Sequence, residues 1–189
     1  MSLAFFVDDE RFECLWRQPE RYAEQFRAFG WGAVIEPDFS TWANAPLAEQ
    51  LWAIHRMRAL GRRYQEHGIN VIPNLAWSDE RSFEFAFSGI PQHAPVVAVE
   101  CRTAGQNDDD RRAFLAGLSE GLRQVQPQRV IIYGGKEHAF WLSQLPVGPR
   151  YTLLESWPMP GTVRDAARHG SRKMPIRERS SRQRREFLL

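Results

Sequence analysis

Polar side chains with chemical potential recur in this chain directly after short apolar runs. Asp38 and Ser40 follow the run 31–36, and Asn74 and Trp77 follow 69–72. Arg102 and Thr103 follow 95–99, while Gly134, Gly135, Lys136 and His138 follow 129–133. If the runs are parallel strands, these residues stand just past the strands' C-terminal ends, where α/β folds receive ligands. The chemistry on offer there is acid–base and polar. Asp38 would act as general base or metal ligand, Asn74 and Thr103 would orient a substrate, and Lys136 or Arg102 would neutralise charge. The competing reading is that Asp, Asn, Ser and Thr at loop starts simply cap helices and close turns.

Other patterns fail on their surroundings. Gly117-Leu118-Ser119-Glu120-Gly121 matches G-x-S-x-G but falls inside a helical period, whereas a nucleophilic serine needs a sharp strand-to-helix turn. Gly134-Gly135-Lys136 lacks the earlier glycine of a phosphate loop, and Glu137 stands where its Mg²⁺-binding hydroxyl would be. Asp38, Glu100 and His138 could meet at a rim, but no spacing supports a metal site and none is assigned. Asp108, Asp109 and Asp110 fit the positive end of a helix dipole without calcium. No cofactor is indicated.

The elements that must position the candidates read as alternating helices and strands. Asp8 caps a helix through Phe12, Leu15 and Trp16, and Pro19 restarts helix as far as Gly30. Residues 31–36 form strand one. A helix from about Pro46 to His67 carries Leu47, Leu51, Ile54 and Met57 at helical spacing and ends at Gly68. Strand two, 69–72, follows. Between Trp77 and Pro91 the alternation of Phe83, Phe85 and Phe87 suggests a strand, while Asp79-Glu80-Arg81-Ser82 suggests a helix start; a short helix is the reading adopted. Strand three is 95–99, a helix capped at Asn107 precedes Pro127, strand four is 129–133, and 151–154 is a further strand. Such continuous apolar strands with intervening helices imply an α/β domain: a mainly parallel sheet of four or five strands, helices on both faces, either open or part of a barrel.

Composition sets the boundaries. The 189 residues are 43% hydrophobic and 25% charged, which are globular values. The net charge of +2 hides an asymmetry: 164–189 holds nine Arg and Lys against three Asp and Glu, leaving sixteen basic against twenty acidic residues before it. A single domain over 1–163 with a basic, flexible tail over 164–189 is expected. Arg172, Lys173, Arg177, Arg179, Arg182, Arg184 and Arg185 would grip phosphates without reading sequence. Neither a signal peptide nor a membrane span is visible, so a cytoplasmic location without membrane contact is expected, with Cys14 and Cys101 as reduced thiols. Trp42, Trp77 and Trp157 fall in loops, where they could stack on ligands or plug the sheet's ends; plugging is favoured for Trp77.

Several phrases together carry a resemblance. Glu36-Pro37-Asp38-Phe39-Ser40, Gln50-Leu51-Trp52 with Arg56-Met57-Arg58, Gly68 through Asn74 with Trp77, Ser82-Phe83, Gly89-Ile90-Pro91 and Tyr133-Gly134 resemble domain-of-unknown-function family 4417 over about residues 8–145. The resemblance implies a bacterial, phage or mobile-element protein and transfers no catalytic assignment. The positions fitting its motifs, Asp38, Ser40, Arg56, Asn74, Trp77, Ser82 and Tyr133, are carried as candidate site residues.

Three functions compete on this reading. The leading one is a nucleic-acid-associated phage or mobile-element protein whose tail holds phosphates and whose rim gives selectivity. The second is an enzyme acting on a nucleotide-like or phosphorylated ligand at the rim. The third is an adaptor or inhibitor that meets a host protein through the Trp-rich loops or the C-terminal Phe187-Leu188-Leu189.

Overall fold

The computed structural model describes residues 2–102, 104, 107–134 and 143–155, all within one compact unit, Met1–Ser156. Thr103, Gly135, Lys136, His138, Trp157 and the whole of 164–189, with its seven candidate phosphate-binding residues, lie outside the described residues.

Six strands follow one another: β1 (Ser2–Leu3), β2 (Ala33–Ile35), β3 (Val71–Ile72), β4 (Val97–Glu100), β5 (Arg129–Tyr133) and β6 (Arg150–Leu154). They form two three-stranded parallel sheets, β1-β2-β3 and β4-β5-β6. One parallel bridge, Asn74 to Ala98, joins them. Leu75 N–H donates to the Ala98 carbonyl (2.8 Å) and Ala98 N–H to the Pro73 carbonyl (2.9 Å). Spatial order therefore equals chain order throughout.

The helices are α1 (Glu13–Arg17), α2 (Pro19–Phe29), α3 (Leu47–Glu66) and α4 (Asp108–Val125), with 3-10 turns at Asp9–Arg11 and Glu80–Glu84. Pro19 opens α2 where its missing N–H costs nothing, and Gly30 closes it at φ 67°. Asn107 Oδ1 caps α4 by accepting from Asp110 N–H at 2.9 Å.

Strand alternation divides the core in two. Val34, Val97, Val99, Val130 and Ile132 pack with Leu15, Phe26, Ile54, Met57, Leu60, Tyr64 and Leu118 of the helices. On the other face, Phe6, Ile35, Ile72 and Ala98 cluster with Ala33, Val96, Ile131 and Tyr133, and no helical residue joins them. The Phe6 and Tyr133 rings stack at 4.9 Å, so the ends of the first and fifth strands meet across this face and the sheet curls.

Two expectations are corrected. The described residues hold six strands rather than four or five, because the two-residue β1 is too short to leave a periodic signal. The described helices cover one face rather than both, as same-handed crossovers between strands in sequential order require. The short helix expected after Trp77 is present as the five-residue 3-10 helix Glu80–Glu84.

Candidate functional site

The site grows from the ends of β2 and β3. Asn74 is fully buried where the bridge joins the two sheets, and its side-chain Nδ2 donates to Asp38 Oδ1 at 2.6 Å. Its other side-chain atom, Oδ1, is buried without a hydrogen-bond partner. Below this pair lies Glu36, 5% exposed. Its carboxylate accepts from the Asn74 backbone N–H at 3.1 Å and is ion-paired with the Arg58 guanidinium. Arg58 also donates to the carbonyls of Asn74, Ala86 and Ser88, each at 3.0 Å. The Asn74 backbone is thus clamped from two sides, which fixes the side chain that meets Asp38.

Asp38 is partly buried. Removal from water raises its pKa from 3.8 to about 7, opposed by the Asn74 hydrogen bond, reinforced by the negative charges of Glu100 and Asp9, and opposed again by Arg102. Burial likewise pushes the Glu36 carboxyl upward, against the pull of Arg58. A carboxyl that changes charge near neutrality can both take and give a proton.

Around Asp38 the rim is acidic and partly paired. Asp9 accepts from the Ser40 N–H (3.2 Å) and hydroxyl (2.9 Å). Arg102 Nε donates to Glu100 Oε1 at 2.8 Å, and its guanidinium carbon lies 5.6 Å from the centre of the Tyr133 ring. Gly134, at φ +82°, lets the Arg102 chain pass; a Cβ there would be 2.8 Å from Arg102 Cγ.

The structure therefore brings Asp38 and Asn74 together, and places Ser40, Tyr133 and Gly134 on the same rim. Three candidates lie elsewhere. Trp77 packs against Phe87 (6.1 Å) and Phe114 (5.6 Å) and fills the space beside Gly117, so it plugs the core, as favoured from its position. Ser82 is a turn residue: its hydroxyl donates to the Asp79 carbonyl (2.6 Å) and accepts from Ser78 N–H (3.1 Å). Arg56 stands away from Asn74, with its guanidinium 3.8 Å over the Phe39 ring and 3.0 Å from Glu13. G-x-S-x-G lies within α4, where Gly117 and Gly121 make room for Trp77 and Phe87. Among the described residues no group of three or more His, Cys, Asp or Glu is arranged to hold a metal ion. No helix there is long and apolar enough to cross a membrane.

Sequence reasoning missed Asp9, and took Glu36 and Arg58 only as parts of a familiar phrase. A signal for Arg58 did exist: it follows Ile54 by four residues and precedes Gly61 by three, on the helix's buried stripe.

Comparison with known proteins follows the same boundaries. The pattern of the family Domain of unknown function (DUF4417) matches residues 1–145. A "Gene 1 protein" of Mycobacterium phage L5 is 39% identical over 137 residues, covering 72% of this chain and 58% of the phage protein. A "Gene 1 protein" of Mycobacterium phage D29 is 39% identical over 133 residues, covering 70% of this chain and 48% of that protein. The chain thus spans about half the length of these relatives. No solved structure matches.

Proposed function

The chain belongs to the family Domain of unknown function (DUF4417), with phage proteins among its relatives, and from that premise we propose an enzyme that works by acid–base chemistry on a nucleotide-like ligand at the strand-end rim. The observation that carries this reading is the Asp38 carboxyl, raised to about 7 while hydrogen-bonded to a clamped, buried Asn74. Holding a carboxyl away from water costs stability, and such costs concentrate at sites of function. Asp38 takes or returns the proton, Asn74 sets the direction of its lone pairs, and Arg102 offers positive charge where negative charge develops. The ligand's donor groups suit this rim better than its phosphates do, because Asp9, Asp38 and Glu100 crowd there.

The test is a thermal-shift screen of nucleosides and nucleotides between pH 6 and 8, on the wild-type chain and on Asp38→Asn. The reading predicts stabilisation by a subset of these compounds that weakens in the variant. It fails if none stabilises, or if both proteins respond alike.

A second reading rests on the nine basic against three acidic residues of 164–189: Arg172, Lys173, Arg177, Arg179, Arg182, Arg184 and Arg185 associate with nucleic-acid phosphates. Binding to random DNA and RNA is measured against salt for the full chain and for one cut after Thr162. A steep salt dependence confined to the full chain supports it; identical weak binding by both ends it.

A further inference from the structure

Beside the Asp9–Ser40 pair the surface opens into a cleft of about 220 Å³, lined by the loop after β2 and the N-terminal half of α3. Two of its lining residues are Trp42 and Trp52, 67% and 48% exposed. Trp52 is held in place, with the edge of Trp16 at 5.2 Å and the His55 ring stacked at 5.3 Å. Large apolar side chains left in water together mark interaction surfaces, and Leu47 and Leu51 extend this one along α3, each at least half exposed.

The charge of the cleft decides what fits. Asp9 accepts hydrogen bonds only from the neutral Ser40 among the described residues. Glu49, in the first turn of α3, is exposed and has no ion pair there. Arg56 also lines the cleft, but its charge is met by Glu13 at 3.0 Å and its guanidinium lies on Phe39. What remains is two carboxylates without a cation, set among indole faces. A phosphate is repelled by that arrangement. An ammonium or guanidinium gains from both the carboxylates and the negative faces of the rings.

We propose that the Trp42–Trp52 cleft is a docking site for a protein partner, seating one of its arginine or lysine side chains between the indoles and against Asp9 and Glu49. The neighbouring Leu47 and Leu51 receive the partner's apolar residues. The cleft shares Asp9 with the Asp38 rim, but its indoles and Glu49 take no part in the proton chemistry, so either reading can fail alone.

The test uses the full chain, titrated with Nα-acetyl-arginine-N-methylamide while the indole N–H signals are followed by NMR. Trp42→Phe and Trp52→Phe assign those signals. The proposal predicts saturable shifts at both indoles, weakened at high salt and weakened about two- to fivefold in Glu49→Gln. Glu49 is exposed in the first turn of α3, where losing its charge costs the helix at most about 1 kcal/mol, so that variant remains folded. An equal response to the norleucine analogue, no effect of Glu49→Gln, a larger response to a nucleotide monophosphate, or silent indoles would each overturn it.

Discussion

Gly61 of α3 stands directly against the carboxylate of Glu36: a Cβ at position 61 would lie 2.3 Å from Glu36 Oε1. That contact cannot relax freely, because Arg58 and the Asn74 N–H hold the carboxylate. Gly61→Ala gains up to about 1 kcal/mol of helix propensity but must push aside a buried, paired group, which costs about 1–3 kcal/mol. The expected outcome is net destabilisation, measured by urea denaturation. A variant more stable than wild type would show that Glu36 is free to move.

Arg58 is the larger liability. Its side chain is 13% exposed and that of Glu36 6%, and it serves three carbonyls besides. Arg58→Ala strands a buried carboxylate and should cost about 3–5 kcal/mol. Adding Glu36→Gln to that variant removes the stranded charge and should recover part of the loss. Equal stability of the single and double variants would mean that Glu36 is already neutral in the fold.

Gly117 makes the third case. A Cβ there would fall 2.0 Å from the Trp77 indole nitrogen, and Trp77 is wedged between Phe87 and Phe114. Gly117→Ala is therefore expected to destabilise by about 1–3 kcal/mol despite its better helix propensity. A wild-type midpoint in thermal unfolding would place the indole elsewhere.

These three cases show what the sequence could and could not convey. α3 and α4 were legible because their apolar stripes recur over five or more turns, and β5 because Arg129–Tyr133 is an uninterrupted strand-forming run. The convergence of Asp38 and Asn74 was legible from the parallel-strand rule alone. Strand β1 was not, since two residues carry no period. Neither was the curl of the sheet, which depends on a Phe6–Tyr133 contact across five strands. Asp9 enters the site from the 3-10 turn that follows β1. Glu36 looked like a strand end rather than a site residue, because only the fold reveals Arg58 reaching it from the next helix. Ser82 is the reverse case: it lies near the rim in sequence, yet its 3-10 turn ties its hydroxyl to the backbone beside it, whereas Trp77 fills the core as its position favoured.

The Asp38 shift has a stability consequence of definite sign. Folding raises its pKa from 3.8 to about 7, so the folded chain keeps this proton where the unfolded chain has lost it. The stabilisation is complete below about pH 4 and is lost as pH rises through about 7. Glu36, also raised, adds to the same trend. Asp38→Asn should remove the Asp38 share of the decline between pH 4 and 7, and should be more stable than wild type at pH 8 by a few kcal/mol at most, at about 1.4 kcal/mol per pKa unit. Parallel stability curves for the two proteins would contradict this.

The most direct measurement is the NMR titration of the Asp38 side-chain carboxyl carbon in the full chain. The account predicts a midpoint near pH 7, moving up in Asn74→Ala, which deletes a hydrogen bond to the ionised form, and down in Glu100→Gln, which deletes a neighbouring negative charge. A midpoint near 4 that neither variant moves would leave Asp38 an ordinary surface carboxylate and remove the proposed acid–base site.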